Sequence, residues 1–398
     1  MIYLIIVPGN SEPWKVSDVM YSFYVVDFSV GFCSRILQGA IVNWIFDSAN
    51  ETNITIFLNV LMVFTFMVYS HLAEKVLLNI DSEFRKSAVL FLMLFFTGPC
   101  AFSIFVKVVG LIDFFWIFST AIFFLIIRKK QLYFLIVPLF VFMVLIYYAS
   151  LLSYVPFLAL MVLYTISYAK EGKQKKYLTI VFFVSVIAAF LLGVYFVVFE
   201  RSNLNYTFEE FNEFLTSRGV DEDHVFYLDY ALYRKTTGKH YAGMGFENLP
   251  TGQLTDSPLD FFNVIKQQVM VNVRIFRFTQ ATPMVCLLLA PIVFYIYRFI
   301  INKIKQEKEN KLRCFTLICV LLLFPATIIT VLCFFSMDLV RWVTNAFIAL
   351  FVSFFYILYK DGNKGWEIVH RDVQSINFYM FMPYYLIYAF TIFFPDGG

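Results

Sequence analysis

The chain has 398 residues, of which 60% are hydrophobic and only 15% are charged. An ordinary globular domain is about 45–50% apolar and about 25% charged, so the excess apolar surface here needs lipid to cover it. The mean hydropathy of +0.74 excludes a soluble enzyme as the whole of the chain. The net charge of +3 says little about partners, but the apolar composition predicts a lipid bilayer as a partner, and we expect no nucleic acid.

The length of the apolar runs predicts an all-α fold, a polytopic transmembrane helical bundle of about 10–11 spans. About 20 apolar residues are needed to cross roughly 30 Å of hydrocarbon, because a helix rises about 1.5 Å per residue. The apolar fragment Met1–Val7 is too short to cross and could be the tail of a first helix whose beginning was lost. Ten spans are predicted near 54–72, 86–106, 110–127, 132–149, 152–169, 177–199, 281–300, 313–335, 339–359 and 376–394.

The distribution of Lys and Arg predicts which loops face the cytoplasm, because short cytoplasmic loops carry the excess of positive charge. Alternate loops hold 19 of the 31 basic residues, and 8 of the other 12 lie in the long loop 200–280. We therefore place the segment 8–53 and the loop 200–280 outside. The predicted location is the cytoplasmic (inner) membrane of a bacterium.

Both outer segments contain predicted helices. From Gly31 to Phe46 the apolar residues recur at helical spacing, with Ser34, Arg35 and Gln38 on the opposite face, which is typical of a helix lying in the interface plane. In the loop 200–280, Thr207 followed by Glu210 fits a capping box. A second helix, starting at Ser257 and Pro258, is expected to skim the membrane.

Acidic side chains are costly at membrane depth, so Asp27, Asp113 and Asp338 are candidate functional residues. Asp27 could cap the interfacial helix or be a solvated loop acid. Alternatively it could be a general base, or a ligand of a divalent cation, Mg²⁺ or Mn²⁺. Asp113 could pair with Lys107, or both could line the same cavity.

Two arginines are candidate phosphate ligands, because a guanidinium makes bidentate contacts with phosphate oxygens. Arg341 lies at i+3 from Asp338, so it could instead form a salt bridge with that residue. Arg35 could instead be an interfacial anchor. The nearby Tyr147, Tyr148 and Tyr154 are expected in the aromatic belt at the headgroup level.

The outer segment that carries Asp27 in Tyr24-Val-Val-Asp27-Phe-Ser-Val-Gly31, together with the many spans, resembles the GT-C superfamily of glycosyltransferases and related bacterial surface-polysaccharide proteins. The resemblance covers the general plan of the whole chain. That superfamily often has two adjacent acids in its first loop, whereas Asp27 has no acidic neighbour. The resemblance implies transfer of a sugar from a polyprenyl-phosphate carrier to a glycan or lipid acceptor. It makes Asp27 the first-loop acid, and Arg35 or Arg341 the contact of the carrier phosphate.

Two other functions remain open. A polysaccharide polymerase or ligase of the same pathway would use arginines in the large outer loop, of which five are present. These are Arg201, Arg218, Arg234, Arg274 and Arg277. A transporter or flippase would need polar residues near the midplane of several helices, where this chain has almost no charges.

Overall fold

The computed structural model describes residues 15–97, 109–221, 228, 232, 281–307, 309–334, 339–374, 376 and 378–390. Within these ranges the fold is all-helical, as predicted, and the one β-bridge joins Gly31 to Leu204. The helices are α1 (Leu37–Phe46), α2 (Glu51–Leu78), α3 (Arg85–Thr97), α4 (Phe114–Ile127), α5 (Ile136–Ile146), α6 (Tyr154–Tyr168), α7 (Lys173–Phe199), α8 (Phe208–Ser217), α9 (Ala281–Gln306), α10 (Lys311–Phe334), α11 (Leu339–Asp361), α12 (Asn363–Gln374) and α13 (Phe378–Phe390).

Five helices are long and apolar enough to cross a membrane, which supports an integral membrane protein. They are Glu51–Leu78, Lys173–Phe199, Pro283–Gln306, Lys311–Val331 and Arg341–Asp361. The other predicted spans overlap shorter helices, so ten full-length spans are not present in the described residues. Hydropathy does not detect the 3-10 turns Lys130–Leu135 and Tyr148–Leu152, which precede α5 and α6 and interrupt apolar runs.

Helix α11 is the centre of the bundle. In its apolar stretch 89% of the residues are buried, against 28–39% in the other four long helices. It packs against α6, α9 and α10, while α7 packs along α5, and α4 contacts both α2 and α5. The four peripheral long helices therefore have large apolar surfaces to present to lipid.

The segments predicted to lie outside gather at one end of the bundle, here called the outer end. The N–H of Ser17 donates to the carbonyl of Val109, and that of Asn205 donates to the carbonyl of Val30. The basic loops meet at the opposite, inner end. Which membrane face each end meets remains a prediction from the charge bias.

A buried ionic network joins four helices at the inner end. The ammonium of Lys303 lies 2.9 Å from a carboxylate oxygen of Asp361 and 3.1 Å from one of Glu307. Arg313 pairs with Glu307 at 2.6 Å, and the hydroxyl of Tyr164 donates to Asp361 at 2.9 Å. Because removing one partner of a buried pair costs about 3–5 kcal/mol, this network holds α6, α9, α10 and α11 together.

The first outer segment differs from its prediction in two ways. Its helix α1 begins at Leu37 rather than at Gly31. Ser34, Arg35 and Gln38 are buried inside the protein, so their predicted exposure was wrong, whereas Trp44 is 84% exposed. The polar side chains find protein partners at the outer end, which leaves the apolar Trp44 to face outward. The periodicity of the sequence separated the polar and apolar faces of α1, but it did not show which of them packs against the protein.

The predicted capping box is confirmed at the start of α8. The hydroxyl of Thr207 accepts a hydrogen bond from the N–H of Glu210, and a carboxylate oxygen of Glu210 accepts one from the N–H of Thr207 at 2.8 Å. These hydrogen bonds from Thr207 lower the pKa of Glu210. The helix predicted from Ser257 and Pro258 lies outside the described residues, as does Met1–Val7.

Gly39 fixes the distance between α1 and the chain before it. A Cβ added at Gly39 would lie 1.9 Å from the carbonyl oxygen of Val26, which is a backbone atom. We predict that Gly39→Ala lowers the stability of the protein in detergent by about 2 kcal/mol or more, because the backbone must move apart. Thermal unfolding measures the effect.

Gly193→Ala is the matched control, since Gly193 is also helical and a Cβ there would meet only the side-chain end of Leu151. This side chain can rotate away, so the loss should be smaller. Equal melting temperatures for Gly39→Ala and wild type would contradict the close contact.

Candidate functional site

Arg35 is the most enclosed cation at the outer end. Its side chain is 8% exposed, and its guanidinium carbon lies 4.0 Å from the ring centre of Tyr147 and 5.6 Å from that of Tyr148. Its N–H donates to the carbonyl of Ile146 at the end of α5. Two aromatic faces stabilise the buried charge, and such contacts contribute about 2 kcal/mol or more when water is excluded.

Glu200, just after α7, holds the turn that carries Arg35. Its carboxylate accepts a hydrogen bond from the N–H of Ser34 at 2.7 Å and another from the hydroxyl of Ser34 at 2.5 Å. Glu200 is buried, and Arg35 itself has the left-handed backbone angle φ 68°. This backbone conformation is strained for a residue with a side chain, so the surrounding contacts must stabilise it.

An aromatic cluster connects Arg35 with the beginning of α11. The ring of Tyr147 stacks on Trp116 at 5.8 Å, and both rings lie 6.2 Å from Trp342. Tyr154 packs against Trp116 and is fully buried. The prediction that Tyr147 and Tyr154 belong to the headgroup belt is therefore wrong, because both are buried inside the bundle.

Arg341 lies at the far side of this cluster, where its guanidinium pairs with the carboxylate of Asp113. The Asp113 side chain is 1% exposed and that of Arg341 is 14% exposed. Both residues were predicted as site residues, but with other partners. Asp338 and Lys107, the partners expected for them, lie outside the described residues.

Asp27 lies nearer the surface and is fixed by two hydrogen bonds. One oxygen of its carboxylate accepts from the N–H of Ser29 at 2.8 Å, and the other accepts from the side-chain amide of Asn43 at 2.8 Å. Asp27 thus caps the short 3-10 helix Phe28–Val30 and not the interfacial helix α1, for which a cap was predicted. Its role as a general base stays a prediction.

Helix α1 ties Asp27 to Arg35. Asn43 contacts the carboxylate of Asp27, while Gln38 donates to the carbonyl of Arg35. These two side chains are five residues apart, which is about 7.5 Å along a helix. The predicted base and the predicted phosphate ligand therefore share one rigid support.

Four buried polar atoms at the outer end have no hydrogen-bond partner within the part of the chain that the structure describes. They are Nη1 of Arg35, Oε1 of Gln38 and the hydroxyl oxygens of Ser150 and Ser153. Both serines belong to the turn after Tyr147, whose ring contacts the Arg35 guanidinium. Buried polar groups are almost always paired, so these four indicate room for bound water or a polar ligand at this end of the bundle.

An apolar groove begins beside this polar group. It has a volume of about 980 Å³ and runs between α6, α7 and α10. Tyr148, whose ring lies under Arg35, forms part of its lining. On α7 the lining extends from Val197 to Phe182, fifteen residues or about 22 Å. Through the ring of Tyr148, this long apolar groove therefore lies next to a buried cation.

The residues at Asp27 do not fit a divalent cation. The two groups that contact this carboxylate, the N–H of Ser29 and the side-chain N–H of Asn43, are hydrogen-bond donors and offer no oxygen to a cation. Among the described residues, no group of three or more His, Cys, Asp and Glu side chains is placed to hold a metal ion. We therefore derive no metal-dependent step.

Three residues of the candidate site were not predicted from the sequence. From sequence alone, Glu200 is a loop acid at the end of a span, and Ser150 and Ser153 are ordinary turn residues. No local signal marks them, because their partners lie far away in the chain.

In comparisons with known proteins, no family model, curated protein or solved structure matches this chain.

We predict a strong energetic coupling between Asp113 and Arg341. Removing either charge alone, as in Asp113→Asn or Arg341→Gln, should cost about 3–5 kcal/mol, because the other ion remains buried without its opposite charge. The double variant should lose less stability than the sum of the losses in the two single variants. Thermal unfolding of the two single variants and the double variant measures these losses. The exposed pair of Glu367 and Arg371, at 3.3 Å, is the control and should change stability by less than about 1 kcal/mol. Additive losses at Asp113 and Arg341 would contradict the pairing.

We also predict that the thiol of Cys33 is unreactive in the folded protein. Burial, and to a lesser extent the charge of Glu200, raise its pKa to about 12 against the opposing effect of Arg35. At pH 8 the thiolate fraction is then roughly a thousandfold below that of a free cysteine, and it rises only as the pH approaches 12.

The measurement is maleimide labelling of a variant that retains Cys33 alone. The control exchanges that thiol for Ser48→Cys at an exposed position of the same segment. Equal labelling rates at the two positions would show that Cys33 is not enclosed.

Proposed function

We propose that this chain is a membrane glycosyltransferase that transfers a sugar from a polyprenyl-phosphate-linked donor to a glycan or lipid acceptor at the outer end, in the synthesis of surface polysaccharide or another glycoconjugate. One observation carries the proposal. The buried guanidinium of Arg35 has an Nη1 without a partner among the described residues, and its carbon lies 5.6 Å from the ring centre of Tyr148, which lines an apolar groove.

The groove supports a lipid carrier with a long chain. One leaflet of the hydrocarbon core is about 15 Å thick, and the groove follows α7 for about 22 Å. A phospholipid chain ends near the midplane, whereas a polyprenyl chain extends beyond it. The groove lining is almost wholly apolar, which suits a hydrocarbon chain and offers little to a sugar.

Arg35 supports recognition of a phosphate. A lipid-linked substrate with its chain in the groove brings its phosphate to the depth of Tyr148 and Arg35. The guanidinium can donate hydrogen bonds from Nη1 to a phosphate oxygen, and the hydroxyls of Ser150 and Ser153 are additional donors in the adjoining turn.

The charge balance limits how the phosphate is held. Asp113 and Glu200 offset the two positive charges of Arg341 and Arg35. Attraction of the phosphate therefore depends on directed hydrogen bonds in an enclosed site, where such bonds are stronger than at a surface. In this arrangement Arg35 is the phosphate contact, and Arg341, already paired, supports the cluster.

In this proposal Asp27 acts as the base of the reaction. The acceptor oxygen forms a new bond to C1 of the sugar, the bond between C1 and the phosphate oxygen breaks, and the carrier leaves as polyprenyl phosphate. The proton of the acceptor hydroxyl passes to the carboxylate of Asp27. Ser29 and Asn43 hold this carboxylate in position.

The test is transfer by the protein in vesicles containing radiolabelled polyprenyl-phosphate hexoses and pentoses, with a cell-envelope extract as the acceptor source. Released polyprenyl phosphate and labelled product are both measured. We expect Arg35→Gln and Asp27→Asn each to lower transfer about a hundredfold or more. Asn can keep the cap at position 27, because the amide of Asn43 can turn to present its oxygen.

Arg371→Gln, an exposed change at the inner end, is the control and should leave transfer unchanged. Wild-type rates in both site variants would contradict the assignment. Loss in Arg218→Gln with transfer intact in Arg35→Gln would favour the polymerase or ligase. Movement of the carrier across the bilayer without release of its phosphate would favour a flippase.

A further inference from the structure

A second, narrower apolar space lies at the inner end of the bundle, between α2, α3, α4 and α11. We call it the inner slot. It is lined by Leu72, Ala73, Phe95, Phe124 and Phe355, with Tyr69 at its deeper part. Its volume is about 60 Å³. One water needs about 10–15 Å³ on this measure, so the slot admits a few methylene groups of one chain.

Two cations stand at the mouth of the inner slot. Lys75 is in the last turn of α2, and Arg128 ends α4. The guanidinium of Arg128 lies 5.8 Å from the ring centre of Tyr359, which also lines the slot. Neither cation has a carboxylate within ion-pair distance in the described ranges. The slot lining contains no acidic residue.

The surrounding charges do not neutralise this mouth. The acid next to Lys75, Glu74, faces His71, and Asp361 at the end of α11 is paired with Lys303. Lys129 and Lys130 follow Arg128 directly. The opening therefore presents uncompensated positive charge above an apolar space.

We propose that the inner slot binds an anionic phospholipid of the leaflet at this end. The phosphate lies between Lys75 and Arg128, and the upper part of one acyl chain enters the slot. Basic pockets between membrane helices on the cytoplasmic side recognise anionic headgroups, and that leaflet is rich in them. The site is at the opposite end from Arg35, so it is independent of the proposed transfer reaction.

The depth of the slot favours a lipid over a soluble phosphate. Tyr69 and Lys75 are six residues apart on α2, so the slot extends about 9 Å below its charged mouth. A free anion would meet the two cations but leave this apolar space empty. A lipid fills both parts, because its headgroup and chain are joined.

The test is binding of phosphatidylglycerol to the delipidated full chain in mixed micelles, followed by thermal shift. Phosphatidylcholine and glycerol phosphate are the comparison ligands. We expect the double variant Lys75→Gln, Arg128→Gln to weaken phosphatidylglycerol binding about thirtyfold or more, because each variant side chain loses a direct charge-assisted contact with the phosphate, which accounts for about a fivefold change or more. Ala73→Phe, which fills the slot and keeps both charges, should weaken it about tenfold or more.

The matched control is the double variant Lys129→Gln, Lys130→Gln, which removes the same charge at the same end but outside the slot. It should bind phosphatidylglycerol within about threefold of wild type. An equal loss in the control would overturn the site in favour of general charge attraction. An equal shift with glycerol phosphate, or with phosphatidylcholine, would overturn it in favour of a headgroup site or unspecific lipid binding. If Ala73→Phe does not fold, the two charge variants still decide.

Discussion

The buried guanidinium of Arg35 is the constraint around which the outer end is organised. A cation enclosed in a membrane protein needs counter-charge, aromatic faces or hydrogen-bond acceptors, because lipid provides none. Tyr147 and Tyr148 supply the faces, and Glu200 fixes the turn through Ser34. What Arg35 does not have is a partner for Nη1 among the described residues, and the ring of Tyr148 lies between its guanidinium and the apolar groove that this ring lines.

The fold was largely accessible from the sequence because hydropathy and capping are local signals. Every predicted span overlaps a described helix, five of these helices are long enough to cross a membrane, and the capping box at Thr207 forms as expected. The lengths of the helices were harder to predict. The 3-10 turn Tyr148–Leu152 is composed mainly of apolar residues, so its sequence resembles a continuous span although the backbone turns there. The direction of α1 also depended on partners elsewhere, since Gln38 is buried by its bond to Arg35.

The candidate site could be predicted only in part from the sequence. Local spacing suggested that Arg341 pairs with Asp338 at i+3, but Asp113, 228 residues away in sequence, is the partner that the structure describes. Glu200 is a further case, because its carboxylate accepts a hydrogen bond from Ser34, which is 166 residues away in sequence. The rule that acids are costly at membrane depth singled out Asp27, Asp113 and Asp338, and Asp113 is buried in an ion pair. The rule could not say that its partner would be Arg341.

The most direct measurement is an electron cryo-microscopy map of the protein in a nanodisc with added polyprenyl phosphate. The account predicts phosphate density within hydrogen-bond distance of Nη1 of Arg35, near Ser150 and Ser153, with chain density running along α7 in the groove. Ordered waters on these polar atoms, with the phosphate and the chain bound elsewhere, would contradict it.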